Sequence, residues 1–151
     1  MLQQAINSDI KEFLKAGKSF EAGILRLMIS AFKNKEIEKR GKGEEGALTD
    51  EEIIEILSKE SKKRKETSEV YLQNNRPELA EQELKELEMI KKYLPAQLSR
   101  EEVGKIVDKA IKDSGAMGVK DMGKTIKAAM IELKGRADAS MVSELIKQKL
   151  V

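Results

Sequence analysis

Four lysines, Lys120, Lys124, Lys127 and Lys134, recur at steps of 4, 3 and 7 residues within "MGVKDMGKTIKAAMIELKGRADAS" (117–140), and Arg136 follows in "KGRAD". On one α-helix those lysines share an arc of roughly 80° at about 100° per residue. Met122, Ile126, Ala129, Met130 and Leu133 fall on the opposite side, with Asp121 and Glu132 near the border, so no carboxylate is expected within the arc. The segment before it repeats the pattern with Lys105, Lys109 and Lys112, although Asp108 lies nearby. The chemistry on offer is electrostatic. Ammonium groups that neutralise phosphates release condensed counterions, which makes the binding of a nucleic acid salt-sensitive. Against this stands a plainer origin: an amphipathic helix needs a polar side, and lysine is a good helix former.

Other chemistry is poorly supplied. The chain has no Cys and no His, which removes thiol nucleophiles, thiolate zinc sites and the commonest general base and metal ligand. "GVKDMGK" lacks the glycine spacing of a phosphate-binding loop, and no strand precedes it. Glu44–Glu45 and Glu51–Glu52 read as surface charge or helix-dipole partners. No catalytic residue, metal or cofactor is therefore expected. The aromatic residues Phe13, Phe20, Phe32, Tyr71 and Tyr93 all precede the basic segments. With nothing on which to stack bases, the basic surface suits a folded RNA held by shape and charge better than an unpaired strand.

Composition agrees with a helical, soluble chain. Of 151 residues, 40% are hydrophobic and 37% charged, with only 2 Pro. Residues 1–96 carry 18 Lys and Arg against 19 Asp and Glu, whereas residues 97–151 carry 11 against 8, so the basic bias is confined to the last third. No apolar run approaches the roughly 20 residues of a membrane span. "MLQQAINSDIKEF" lacks the basic-then-apolar layout of a signal peptide, and the expected compartment is cytoplasmic.

The elements that must carry these residues all read at helical period, which predicts an all-α protein: an N-terminal four-helix domain (1–94) followed by a small three-helix C-terminal domain (95–151). Residues 3–16 place Ile6, Ile10, Phe13 and Leu14 on one side. Residues 21–40 carry Leu25, Met28, Ile29 and Phe32, with Ile24, Leu27 and Ala31 widening the stripe. Thr49 with Glu52 forms a capping box for a long helix whose stretch 58–69 reads as polar all round and solvent-exposed, supported by pairs such as Glu60–Arg64. Pro77 suits the first turn of the next helix, with Leu84, Leu87, Ile90 and Leu94 along its stripe. "YLPAQLS" (93–99) marks the joint, and Ser99 with Glu102 is a second capping box. Three shorter helices follow: 100–113, about 120–134 with Gly135 at its end, and one capped by Asp138.

The segments "LRLMISAFKNKEIEKR", "LTDEEIIEIL", "KESKKRKETSEVY", "YLPAQLSREEV", "GAMGVKDMGKTIKAAM" and "LKGRADASMVSEL" occur in the order and spacing of the YqeY-like family, which the chain resembles over almost its whole length. It departs at Ile126 and Lys127, where Met and Gly often follow "KDMGK", and at Ala139, where Gly commonly follows "RAD". The family is similar to the tail domain of the aspartyl/glutamyl-tRNA amidotransferase. The resemblance implies a two-domain helical protein near glutamine-dependent transamidation of tRNA. The label of a carbon–nitrogen ligase with glutamine as amido donor comes without a catalytic residue, because that chemistry lies outside the tail. The resulting expectation is a tRNA-binding accessory module, with the amidotransferase or other translation-related proteins as further partners. Its contacts would be Lys120, Lys124, Lys127, Lys134 and Arg136, then Lys105, Lys109 and Lys112. The first rival is a non-catalytic adaptor that docks proteins through 58–69 or the N-terminal bundle; the second is an actual ligase or amidase activity, against which the missing His and Cys argue.

Overall fold

In the computed structural model, which describes all 151 residues, seven α-helices and one 3-10 turn follow one another with no strand. They are α1 (Leu2–Lys15), α2 (Ser19–Gly41), α3 (Asp50–Gln73), α4 (Pro77–Lys91), α5 (Arg100–Ser114), the 3-10 turn Val119–Asp121, α6 (Met122–Leu133) and α7 (Ala139–Leu150). Their ends sit where local chemistry puts them. Thr49 and Ser99 each accept a backbone N–H from the third helical residue, and Glu52 and Glu102 reach back to the cap N–H at 2.8 Å. Pro77 opens α4, where a missing N–H costs nothing. Gly115 closes α5 in the left-handed region at φ 65°. Ala139 starts α7 as an ordinary helical residue, so the turn after Asp138 does not need a glycine there.

The helices gather into two compact units, Met1–Leu94 and Pro95–Val151. In the first, Ile6 of α1, Leu25, Met28 and Phe32 of α2, Ile53 and Leu57 of α3 and Ile90 of α4 are at most 1% exposed and form one apolar core. Tyr93 fastens the end of this unit by donating its hydroxyl to Asp9 of α1 at 2.6 Å; burial and that carboxylate push the phenol well above its usual range. In the second, Val103 and Val107 of α5, Ala129 and Leu133 of α6, and Val142 and Ile146 of α7 close a separate core.

Four expectations for the first unit fail for one reason: periodicity names the faces of a helix but not the partner that covers them. Leu14, Leu27 and Leu84, placed on core stripes by spacing, are instead exposed. The stretch 58–69 is not polar and wet all round, because α3 lies along α4 and buries Ser61, Arg64 and Ser68. Arg64 is neutralised by Glu60 at 2.5 Å and by Glu86 of α4 at 3.0 Å, whereas the hydroxyls of Ser58 and Ser61 are buried without a hydrogen-bond partner.

Candidate nucleic-acid interface

The apolar sides of α5, α6 and α7 turn inward around Val107, Leu133 and Ile146, which leaves the lysines of α5 and α6 on the outside. Lys105, Lys109, Lys112, Lys120, Lys124, Lys127 and Lys134 are all exposed, and Arg136 is half-buried.

The helix expected over 120–134 is shorter than its pattern. Gly118 is fully extended, and the Asp121 N–H closes a tight turn on the Gly118 carbonyl at 3.0 Å. The Asp121 carboxylate meanwhile accepts the Met117 N–H at 3.0 Å. That geometry holds Lys120 in the 3-10 turn Val119–Asp121, and α6 begins only at Met122. At the other end Lys134 has left the helix, with ψ 123°, and Gly135 turns the chain at φ 77°. Only Lys124 and Lys127 keep the helical arc. Ile131 continues their face and is 85% exposed, an apolar residue that the lysine spacing passes over.

Charge pairing divides the eight cations. Lys105 lies 3.6 Å from Glu101, and Lys109 lies 3.6 Å from Glu132 of α6, so a carboxylate does reach the lysines between the two helices. That corrects the expectation of acid-free stripes: Glu132 lies beside the neighbouring helix's lysine, a pairing invisible to either helix alone. Asp108, in contrast, is drawn off to Lys149 of α7. Lys124 donates to the Ser114 carbonyl at 2.8 Å, which engages its ammonium without cancelling the charge. Lys112, Lys120 and Lys127 have no ion pair. Their corner is positive for a further reason. α3 and α5 place two or three carboxylates in the first turn, whereas α6 has none there and carries Lys124 instead.

The backbone at Arg136 fastens a turn. Its carbonyl accepts the Leu98 N–H at 2.9 Å, and beside it the Gly135 carbonyl accepts Gln97 Nε2 at 2.7 Å. The Glu102 carboxyl sits below the ordinary glutamate range mainly because the Ser99 N–H and hydroxyl donate to it, with Lys105 and Arg136 adding positive potential. "YLPAQLS" and "KGRAD", far apart in sequence, are thus fastened together.

The assembled surface presents exposed ammonium groups outward. No cluster of three or more Asp or Glu side chains is placed to take a metal ion. Gly123, beside Lys124, is exposed, and a Cβ there would meet nothing within 4 Å. The backbone at the start of α6 is therefore open to close approach.

Known proteins resemble this chain along most of its length. The protein named "Altered inheritance of mitochondria protein 41, mitochondrial" from Lachancea thermotolerans is 31% identical over 148 residues, 93% of this chain and 76% of that protein. Its namesake from Vanderwaltozyma polyspora is 28% identical over 150 residues, covering 95% and 79%. The one from Clavispora lusitaniae is 34% identical over 93 residues, covering 62% of this chain and 51% of that relative. These relatives are named as mitochondrial proteins, which overturns the cytoplasmic expectation. The layout of thirteen leading residues carries too little information to assign a compartment. A match to the family described as Yqey-like protein spans residues 3–150, and the chain belongs to that family.

Proposed function

We propose that this protein is a non-catalytic RNA-binding accessory module that holds a folded tRNA by its phosphates at the α5–α6 corner of the C-terminal unit. The observation that carries the reading is the group Lys112, Lys120, Lys124 and Lys127. All four are exposed, none is ion-paired, and the first turn of α6 carries no acid, the Asp121 carboxylate just before it being engaged by the Met117 N–H. The absence of aromatic side chains in residues 95–151 favours backbone contact over base reading. Lys105 and Lys109 are secondary because Glu101 and Glu132 already screen them, and Arg136 and Lys134 extend the surface along the turn after α6. The resemblance to the amidotransferase tail domain suggests tRNA as the ligand and two units that act as separate domains. It supplies no reaction.

Filter binding to folded tRNA across a salt series tests this. Because the relatives are named as mitochondrial, organellar tRNA is the natural companion to a bacterial-type tRNA. Four phosphate contacts predict that log K falls with log salt at a slope of about −3 to −4. Salt-independent binding, or binding that survives Lys124→Glu combined with Lys127→Glu, removes the proposal.

A further inference from the structure

The N-terminal unit carries apolar surface in the wrong place for a self-contained bundle. Distal to Leu57 and Leu87, the hairpin of α3 and α4 buries Ser61, Arg64 and Ser68 with only Ala80 as apolar company, while Leu84 is left 42% exposed on its flank. A shallow groove of about 470 Å³ lies where Leu84 and Met89 of α4 meet Phe20 of α2, itself 45% exposed. Leu27, two turns beyond Phe20 on the same side of α2, is 56% exposed. Between them stands Gly23, where a Cβ would meet nothing within 4 Å. Glycine weakens a helix interior relative to alanine, and no close contact within the fold requires it here. A small residue flanked by exposed apolar ones lets another backbone come close.

The walls of the groove specify the visitor. Glu21, Glu81 and Glu88 line it, and Glu78 stands at its end. Lys85 is held by Glu81 at 2.8 Å and Glu88 is paired with Lys91 at 2.9 Å. Glu21 and Glu78 have no counter-ion, and of the lining cations only Lys92 is likewise unpaired. A second copy laid on this face would bring carboxylates towards carboxylates. We propose that the Phe20–Leu84 face is a docking site for an amphipathic helix of a partner protein, one whose apolar stripe is flanked by lysine or arginine. Phe20, Leu27 and Leu84 take the stripe, and Glu21 and Glu78 take the flanking cations.

The full-length protein is titrated with a fluorescein-labelled helical peptide that has leucines at i, i+3, i+4 and i+7 and lysines beside them. A twin with glutamates in place of the lysines serves as comparison. Binding of the lysine peptide is expected to exceed that of the twin by about tenfold or more, and to weaken about fivefold or more in Leu84→Ser and in Phe20→Ser. Ile37→Ser, equally conservative at an exposed residue near the other end of α2, should bind as the unaltered protein does. All three positions are exposed, and circular dichroism verifies that the variants remain folded. Equal affinity for the two peptides, no binding at all, or Leu84→Ser and Phe20→Ser variants that bind undiminished would each overturn the proposal. A dimer in sedimentation that Leu84→Ser dissolves would overturn it in favour of a second copy.

Discussion

Arg64 of α3 donates its Nε–H to the Glu86 carboxylate of α4 at 3.0 Å, across 22 positions of sequence. The same guanidinium reaches Glu60 one turn earlier, and Arg64 is only 7% exposed. A cation this deep is tolerable because two carboxylates accept hydrogen bonds from it. Removing it strands two half-buried carboxylates. Arg64→Ala is therefore expected to destabilise the protein by roughly 3–5 kcal/mol, whereas Arg64→Met with Glu86→Leu and Glu60→Gln, which removes all three charges and keeps volume, should cost far less. Urea unfolding of the variants measures both. If Arg64→Ala cost under about 1 kcal/mol, the network would be ornamental.

The capping glutamates make stability fall with acid. In the folded chain Glu52 and Glu102 are held below their ordinary value of 4.5, first by the Thr49 and Ser99 backbone N–H groups. A depressed carboxyl stabilises fully above its unfolded pKa and loses that contribution as pH falls through the folded pKa. Stability should therefore decline progressively below the ordinary glutamate value, and Glu52→Gln with Glu102→Gln should flatten the decline while keeping an acceptor at each cap. Denaturant midpoints followed with pH test it; a variant with an unaltered acid slope would refute it.

Residues 95–151 should fold alone. Their core of Val103, Val107, Leu133, Val142 and Ile146 is essentially inaccessible to solvent and draws on α5, α6 and α7 only. The segment 95–98 matters to it, because the Gln97 side chain and the Leu98 N–H bond to Gly135 and Arg136. A fragment beginning at Pro95 should melt cooperatively, and one beginning at Ser99 should be less stable by about 1–2 kcal/mol, the worth of two hydrogen bonds. A gradual, non-cooperative melt of the longer fragment would show that the unit is not autonomous.

What could be foreseen from residues follows the range of the forces involved. Thr49 with Glu52, Ser99 with Glu102, Pro77 and Gly115 act within one turn, and each helix end they imply is present. The exposure of Lys112, Lys124 and Lys127 was legible too, since it follows from the apolar side each helix must bury. The burial of Arg64 was not, because it depends on α4 lying alongside at a particular register. Nor was the Glu132–Lys109 pair, which joins two helices, or the tight turn that removes Lys120 from α6. Patterns within one helix report its faces; they are silent about which neighbour lies against them.

Under the proposed RNA-binding function, pairing also ranks the lysines. A phosphate approaching Lys127 meets an ammonium with no competing carboxylate, whereas one approaching Lys109 must displace Glu132 at 3.6 Å. Lys127→Gln should therefore weaken binding to folded tRNA similarly across tRNA sequences and reduce the salt slope by about 1. Lys109→Gln should have a smaller effect on both, and Glu132→Gln should strengthen binding by freeing Lys109. Ile131→Ser, on the same face, serves as the neutral comparison, since it removes apolar surface but no charge. Parallel salt titrations of the four variants read the order directly. Were Lys109→Gln and Lys127→Gln to reduce the slope equally, the pairing would be irrelevant to the ligand, and charge count alone would govern the surface.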